Sequence, residues 1–329
     1  MSTLDSKTSP PITVQQNVPL APFTSLNIGG PARFLTRAEN LEELRQALLF
    51  ARRQGVSFCI LGGGTNLLVS DEGFDGLVIR LQPAGIKVSG DRIEAQAGFD
   101  LTALVHRTAE LGLSGMESLA GIPGMLGGAL RGNAGAYGGC IGEVTETVFA
   151  LHAESLELLA LDREECAFEY RDSRFKRDPR LIVVSALLAL SPGDPEEIRH
   201  KVKATIKKRE SRQLQCEGSA GSFFMNPVVT DQELIRRFET DQGIRCRENR
   251  IPAGWLIDQA KLRSARVGAA MVSARHANYL VNTGDASADQ MIRLARMVKI
   301  EVQAALGVQL REEVSCLGFS REPDREQPS

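Results

Sequence analysis

The sequence predicts an α+β protein with more than one domain. The chain has 329 residues, which is long enough for two or three domains. Its first hundred residues show a rhythm of strand, helix and strand. A polar stretch at 191–220 then separates a run of strands from a C-terminal part in which helices and strands mix. We place a domain boundary in that polar stretch.

The first elements follow from apolar periodicity. The stretch 38–55 places leucine and alanine side chains on one stripe, with charges opposite and a glycine as the stop, which predicts a helix. The short apolar runs 56–61 and 74–81 predict strands. The segment 86–98 alternates around Gly90–Asp91, so we expect a hairpin there.

The same reasoning extends to the rest of the chain. It predicts helices at 100–113, 232–240, 253–262 and 287–306, a run of strands within 144–171 and at 181–190, and later strands at 278–282 and 308–317. The basic stretch 201–212 follows acidic residues on a helical pattern, so we interpret it as a solvated helix face rather than a nucleic-acid surface.

Composition excludes several classes of protein. Lys and Arg total 39 against 41 Asp and Glu, and this balance argues against a broad nucleic-acid-binding surface. The longest apolar run, 181–190, is about half of what a membrane crossing needs. The N-terminus lacks the pattern of a secretory signal. Six cysteines never form a Cys-x-x-Cys pair, so we expect no metal site and a reducing cytoplasm.

Two glycine clusters are the strongest functional signals. Gly62, Gly63 and Gly64 follow a predicted strand and continue into Thr65–Leu67, a pattern that lets backbone N–H groups cradle a phosphate. The second cluster, 121–139, has eight glycines in nineteen residues, so a continuous helix or strand is not expected there. A strand-end turn and a packing loop are the respective alternatives. Together the clusters indicate one extended cofactor that carries phosphate.

Three further segments contain candidate reactive side chains. Arg171, in YRDSRFK, has a guanidinium suited to a carboxylate or diphosphate, or it lies in a surface loop. Ser222, in GSAGSFFMNP, is a candidate proton donor, although a helix cap is the commoner role for such a serine. Glu312 and Glu313 lie on the predicted closing strand, where a solvated edge is the default interpretation.

In this order, these segments resemble the UDP-N-acetylenolpyruvoylglucosamine reductase family, the flavoenzymes of peptidoglycan precursor synthesis. The resemblance spans about 18–318 and rests on seven stretches: TSLNIGGPA, LGGGTNLLVSDEGFDGLVI, GLSGMESLAGIPGMLGGALRGNAGAYGG, YRDSRFK, GSAGSFFMNP, AGWLIDQAKLRSARVGAAMVSARHANYLVN and GVQLREEVSCLG. The short interval from Arg171 to Ser222 is similar to the compact type II form.

The resemblance implies a two-subdomain FAD-binding region of the vanillyl-alcohol oxidase type, followed by a C-terminal α+β substrate domain. It implies a flexible tail at 1–18, FAD-binding subdomains at 19–84 and 85–210, a substrate domain at 211–318 and a disordered tail at 319–329. It further implies noncovalent FAD, NADPH as hydride donor, and reduction of UDP-N-acetylglucosamine enolpyruvate to UDP-N-acetylmuramate, with neither nucleic-acid binding nor membrane insertion.

By the same resemblance, Arg171 and Glu313 would stabilise an enolate and Ser222 would protonate it, while Tyr137 and Asn226 would contact the UDP-sugar. The residues implied to bind FAD are Gly62, Gly63, Gly64, Thr65, Asn66, Leu67, Gly121, Ile122, Pro123, Gly124, Gly128, Asn133, Ala134, Gly135 and Gly138. Two positions depart from the family pattern: Met225 replaces a lysine and Glu312 replaces a proline.

Two rival hypotheses remain at the level of sequence. The first is a related flavoprotein that acts on another substrate, because Met225 alters the substrate side. The second is a noncatalytic protein that binds a nucleotide sugar or a flavin, against which Ser222, Arg171 and Glu313 argue jointly.

Overall fold

The computed structural model describes residues 12–82, 85–211 and 218–319. These residues form two compact units that interleave along the chain. Unit 1 comprises the described residues up to Val18, Ala32–Gly62 and Asp75–Val202, and unit 2 comprises Pro19–Pro31, Gly63–Phe74 and the described residues from Lys203 onward. The predicted boundary near 210 is close to the last of these transitions, but unit 2 also takes in two early segments. The finer division into two FAD-binding subdomains stays a prediction.

The described residues contain nineteen strands: β1 Val14–Pro19, β2 Pro31–Ala38, β3 Ser57–Ile60, β4 Leu67–Val69, β5 Phe74–Leu81, β6 Ile86–Ser89, β7 Arg92–Gln96, β8 Leu113–Ser114, β9 Gly135–Ala136, β10 Gly139–Cys140, β11 Thr145–His152, β12 Leu158–Asp162, β13 Leu181–Ala189, β14 Ser191–Pro192, β15 Gly218–Ser219, β16 Arg266–Val267, β17 Ala270–Val272, β18 Leu280–Asn282 and β19 Ser315–Leu317.

Within the same residues there are nine α-helices: α1 Leu41–Gln54, α2 Leu101–Glu110, α3 Leu126–Arg131, α4 Ile141–Val144, α5 Arg174–Arg177, α6 Pro195–Glu210, α7 Gln232–Gln242, α8 Ala253–Gln259 and α9 Ala288–Leu306. Two 3₁₀ turns lie at Ala21–Phe23 and Glu117–Leu119. No helix of the described segments is long and apolar enough to cross a membrane.

The first sheet of unit 1 has the strand order β1-β2-β5-β3, and α1 packs against it. Local signals define this helix: the Asn40 side chain accepts a hydrogen bond from the Glu43 N–H, and Gly55 ends the helix at φ 64°. Its buried stripe joins Phe34, Leu77 and other apolar residues in one core cluster. The predicted flexible tail at 1–18 is wrong for its last residues, because Val14–Pro19 forms a strand of this sheet, while residues 1–11 lie outside the described residues.

The second sheet of unit 1 is antiparallel, with the order β12-β11-β13-β7-β6. The predicted hairpin joins β6 to β7 through the two-residue loop Gly90–Asp91, where Gly90 has φ 60°. Glycine is favoured at this position because a two-residue hairpin loop requires positive φ.

Unit 2 builds its core from distant parts of the sequence. Leu26 and Leu68, from its two early segments, are buried in one cluster with Phe223, Phe224 and Trp255 from the C-terminal part. A four-stranded sheet, β15-β18-β17-β16, and the parallel pair β4 and β19 surround this core. The predicted strand 308–317 is therefore too long, since only Ser315–Leu317 pairs.

Candidate active site

The second glycine cluster of unit 1 is broken into short pieces, as its composition predicts. Helix α3 is followed by the hairpin of β9 and β10, in which Tyr137 and Gly138 occupy the two loop positions with φ 55° and 92°. Backbone hydrogen bonds anchor the start of the cluster, since the Gly124 carbonyl accepts from Leu101 and the Gly127 N–H donates to the Ala97 carbonyl. This places Tyr137, 43 % exposed, at a projecting tip.

Several glycine N–H groups in the two clusters have no hydrogen-bond acceptor among the described residues. They belong to Gly62 and, in the second cluster, to Gly121 and Gly124 of unit 1, and to Gly63 and Gly64 of unit 2. Buried or half-buried N–H groups need an acceptor, and phosphate oxygens suit such concave backbone. Gly62 also approaches the second cluster, because a Cβ built on it would lie 3.6 Å from Met125 Cγ.

Arg171 lies at the tip of a tight turn in unit 1, which we call the Arg171 turn (169–172). Glu169 and Asp172 exchange backbone hydrogen bonds of 3.0 and 3.2 Å across it. The guanidinium Nη2 of Arg171 donates to the Gly135 carbonyl oxygen at 2.9 Å, and its Cζ lies 5.4 Å from the centroid of the Tyr170 ring. The turn is thus attached to the second glycine cluster.

The first glycine cluster continues into unit 2, where it meets the segment that carries Glu313. Gly64 has φ 63°, and a Cβ there would lie 1.9 Å from the Phe23 carbonyl oxygen, so only glycine fits. Asn66 Nδ2 donates to the Glu313 carbonyl oxygen at 3.2 Å, and the Ser315 N–H donates to the Asn66 carbonyl oxygen at 3.2 Å. Parallel pairing of β4 with β19 extends this contact.

Ser222 lies on a half-buried segment that pairs with the same carboxylate segment. The Glu313 N–H donates to the carbonyl oxygen of Phe223 at 2.8 Å, and Phe224 forms a β-bridge with Glu312. In the described structure, no helix begins between Ser222 and Gln232. The helix-cap alternative for Ser222 is therefore wrong.

Asn278 fixes the Ser222 segment from its other side, and sequence reasoning gave this residue no role. Its Nδ2 donates to the Phe224 carbonyl oxygen at 2.8 Å, and its Oδ1 accepts from the Phe224 N–H at 3.0 Å. Its own carbonyl accepts from the Phe223 N–H at 2.7 Å. A polar amide inside the apolar run 277–281 is the signal that could have identified it, because buried amides need partners.

The Asn226 side chain forms a hydrogen bond with the protein's own backbone. Its Oδ1 accepts from the Ala253 N–H at 3.0 Å, at the start of α8, and its carbonyl accepts from Arg250. Nearby, Glu312 forms an ion pair with Lys299 of α9 at 3.2 Å, in which both side chains are only 22 % exposed. A positive charge thus accompanies the carboxylate that replaces the family's proline.

The predicted site residues divide between the two units. Unit 1 holds Gly62, Gly121, Ile122, Pro123, Gly124, Gly128, Asn133, Ala134, Gly135, Tyr137, Gly138 and Arg171, and unit 2 holds Gly63, Gly64, Thr65, Asn66, Leu67, Ser222, Asn226 and Glu313. Within unit 2 the structure brings together the backbone segments that carry Ser222 and Glu313, and within unit 1 it brings Arg171 to the Tyr137 hairpin.

The cysteine closest in sequence to the first glycine cluster is Cys59 of β3. Burial raises the pKa of its thiol to about 11, and the nearby Arg131 opposes this shift. The thiol is consequently protonated near neutral pH, a form that is a poor nucleophile.

Comparison with known proteins gives consistent matches along the chain. Residues 210–317 match the family model described as UDP-N-acetylenolpyruvoylglucosamine reductase, C-terminal domain, and residues 32–153 match an FAD binding domain. The chain is 39 % identical over 307 residues to UDP-N-acetylenolpyruvoylglucosamine reductase of Carboxydothermus hydrogenoformans, covering 93 % of this chain and 94 % of that protein. It is 33 % identical over 309 residues to that of Solibacter usitatus, covering 94 % and 98 %.

A solved structure agrees with these matches. The crystal structure of UDP-N-acetylenolpyruvylglucosamine reductase from Thermus caldophilus is similar with a TM-score of 0.73 and 33 % identity, covering 93 % of this chain and 99 % of that chain. The predicted α+β fold, with an FAD-binding region before a C-terminal domain of the reductase family, is confirmed.

Proposed function

The chain belongs to the UDP-N-acetylenolpyruvoylglucosamine reductase family, and from this we infer that it is an FAD-dependent oxidoreductase of peptidoglycan precursor synthesis. Its substrate is UDP-N-acetylglucosamine enolpyruvate, its product is UDP-N-acetylmuramate, and NADPH is its hydride donor. A cytoplasmic location is part of the proposal, because free thiols, NADPH and nucleotide sugars occur together in a reducing compartment.

The glycine clusters fit noncovalent FAD. The N–H groups of Gly62, Gly63, Gly64, Gly121 and Gly124 have no acceptor within the described residues, and the pyrophosphate of a dinucleotide offers acceptors of matching charge. FAD, when bound, supplies the hydride that is passed to the substrate. We assign the remaining cofactor contacts to the other glycine-cluster residues predicted from the sequence, except Asn133, whose side-chain amide is bonded to the protein's own backbone.

The chain's own residues then stabilise the negative charge on the substrate and donate the proton that completes the reduction. Addition of hydride to the terminal carbon of the enolpyruvyl group leaves an enolate that is conjugated with the substrate carboxylate. Arg171 supplies a permanent positive charge for that carboxylate, and Ser222 donates a proton to the neighbouring carbon. Groups aimed at charge that develops in the transition state typically contribute a few kcal/mol each.

One observation supports this assignment more than any other. The Glu313 N–H donates to the Phe223 carbonyl oxygen, so the segment carrying Ser222 and the segment carrying Glu313 are adjacent extended segments of the same unit. In this proposal the Glu313 carboxyl group holds or replaces the proton that Ser222 gives up, which a hydroxyl alone does poorly. Tyr137 and Asn226 are proposed to contact the UDP-sugar.

Ser222→Ala tests the proton-donor role. Flavin reduction by NADPH, followed by the loss of visible flavin absorbance, should keep its wild-type rate, while turnover with the enolpyruvyl substrate should fall by about 10²-fold or more. Ser211→Ala is the matched control, because Ser211 is exposed and its hydroxyl donates to the Lys208 carbonyl oxygen at the end of α6. Wild-type turnover in Ser222→Ala would remove Ser222 from the mechanism.

The same assays separate the rival functions. NADPH oxidation that does not respond to the enolpyruvyl sugar nucleotide would favour a flavoprotein with another substrate. A protein that purifies without flavin, fails to bind added FAD and still binds the UDP-sugar would be a noncatalytic binding protein.

A further inference from the structure

Arg171 is held in a backbone conformation that a non-glycine residue rarely adopts. Its φ is 59°, at the tip of the Arg171 turn. An L-residue in this left-handed region costs about 1 kcal/mol or more, and such a conformation persists only where neighbouring groups determine it. The contacts around the turn therefore identify the residues that hold Arg171 in this conformation.

Two side chains donate hydrogen bonds to the backbone of the turn, one from a residue that precedes it in the chain and one from a residue that follows it. Lys176 Nζ donates to the Arg171 carbonyl oxygen at 2.8 Å. Asn133 Nδ2 donates to the Glu169 carbonyl oxygen at 2.8 Å, and Asn133 Oδ1 accepts from the Gly142 N–H at 3.1 Å. Asn133 is only 6 % exposed, so both ends of its amide are committed to the protein's own backbone.

The same loop also meets the arginine side chain. Gly135, two residues after Asn133, accepts the hydrogen bond from Arg171 Nη2 at 2.9 Å. Ser173, which follows the turn, donates from its hydroxyl to the Arg131 carbonyl oxygen at 2.7 Å. The second glycine cluster therefore makes three contacts in this region: with Glu169 before the arginine, with the guanidinium of Arg171 itself, and with Ser173 after it.

We propose that Asn133 and Lys176 are positioning residues for Arg171: together they fix the Arg171 turn so that its guanidinium meets the substrate carboxylate. The inference rests on the catalytic role of Arg171 proposed above. It also gives Asn133 a function different from the cofactor contact expected from sequence. Neither side chain touches the reacting atoms in this scheme, because both act through the backbone of the turn.

The two halves of the reaction distinguish this role from a general effect on folding. Flavin reduction by NADPH does not involve the carboxylate of the sugar nucleotide, whereas reoxidation of reduced flavin by that substrate does. Displacement of a catalytic group by about 1 Å can lower a rate by as much as 10²-fold. Loss of Asn133 or Lys176 should therefore slow the second half-reaction and leave the first unchanged.

The experiment uses the FAD-loaded protein and anaerobic stopped-flow absorbance for each half-reaction. Lys176→Met removes one donor and Asn133→Asp removes the other while keeping the acceptor for Gly142. We expect reoxidation by the enolpyruvyl substrate to slow about 10- to 100-fold in each, with partial recovery in Lys176→Arg. Lys87→Met is the control, because Lys87 is 86 % exposed and lies 3.8 Å from Glu94 on the second sheet.

Arg171→Lys in the same assay keeps the two proposals separate. If Arg171→Lys reoxidises at the wild-type rate, the catalytic role of Arg171 is wrong. If Arg171→Lys is slow but Lys176→Met and Asn133→Asp are both normal, only the positioning role is wrong. The positioning role is also overturned if both variants slow the two half-reactions equally or lose their flavin, since that pattern indicates a folding defect.

Discussion

The side-chain amide of Asn66 donates a hydrogen bond to the backbone carbonyl oxygen of Glu313 over 3.2 Å, although 247 residues separate the two in the chain. Asn66 belongs to the proposed flavin loop and Glu313 to the proposed proton-handling pair. Because the Ser315 N–H returns a hydrogen bond to the Asn66 carbonyl, the loop and the carboxylate segment are fixed to each other at two points.

Asn66→Ala should measure how much this contact contributes to the free energy of unfolding. We expect the free energy of unfolding to fall by about 1 kcal/mol, the usual net contribution of one hydrogen bond. Urea denaturation of the FAD-free protein would show it as a lower midpoint. Gln309→Ala provides the comparison, because Gln309 is exposed on the loop that leads to the same segment. Equal midpoints in the two variants would contradict the prediction.

Two glycine substitutions should separate folding from cofactor binding. At Gly64 an alanine Cβ would lie 1.9 Å from the Phe23 carbonyl oxygen at φ 63°, so Gly64→Ala should lower stability by at least 1–3 kcal/mol, on the order of a strained position. At Gly128 a Cβ meets nothing within 4 Å, so Gly128→Ala should keep or raise stability.

FAD titration completes this comparison. If Gly128 lies against the cofactor as we propose, Gly128→Ala weakens FAD binding while thermal unfolding of the FAD-free protein is unchanged or occurs at a higher temperature. Unchanged FAD affinity would remove Gly128 from the cofactor site.

The ion pair of Lys299 and Glu312 should contribute more than a typical surface pair. Both side chains are only 22 % exposed and their charged atoms are 3.2 Å apart. Lys299→Met leaves a half-buried carboxylate without this charge, so we expect a loss of about 1 kcal/mol or somewhat more in unfolding free energy. The double variant Lys299→Met/Glu312→Gln should lose less than the sum of the single variants. Additive losses would show that the pair is not coupled.

The Cys166 thiol should make stability depend on alkaline pH. Burial, reinforced by Asp162 and Glu165, raises the pKa of this thiol from 9.0 to about 12. Between these values the unfolded chain has lost the proton and the folded chain has kept it. The thiol's contribution to stability is thus fully present below pH 9 and declines by about 1.4 kcal/mol per pH unit above it.

Cys166→Ala isolates this effect from the other titrating groups. The difference in unfolding free energy between wild type and Cys166→Ala, measured in urea, should shrink or reverse between pH 8 and about 10.5. A difference that stays constant over that range would show that the thiol does not titrate as described.

The parts of the fold that local sequence determines were predicted well. Helix α1 was expected over 38–55 and spans Leu41–Gln54, because its cap at Asn40 and its stop at Gly55 are features of neighbouring residues. The hairpin at Gly90 was found for the same reason. The glycine of the turn and the alternating apolar residues of the two strands are all neighbours in the sequence.

Elements that depend on distant partners were predicted less well. The strand expected at 308–317 is limited to Ser315–Leu317 because its partner, β4, has only three residues. The sequence does not predict the strand Val14–Pro19, because its pairing depends on β2 and not on any periodicity of its own. Motif resemblance identified Ser222 and Glu313, but their adjacency comes from backbone contacts that a single sequence does not encode locally.

The parallel pairing of β4 with β19 has a consequence for the newly made chain. At about 5–20 residues per second, a ribosome needs on the order of 10–50 s after making Leu67–Val69 before Ser315–Leu317 follows. During that interval Leu26 and Leu68 also await the C-terminal residues that bury them. The early segments of unit 2 therefore emerge before their partners exist, and this unit cannot be completed until Ser315–Leu317 has been made.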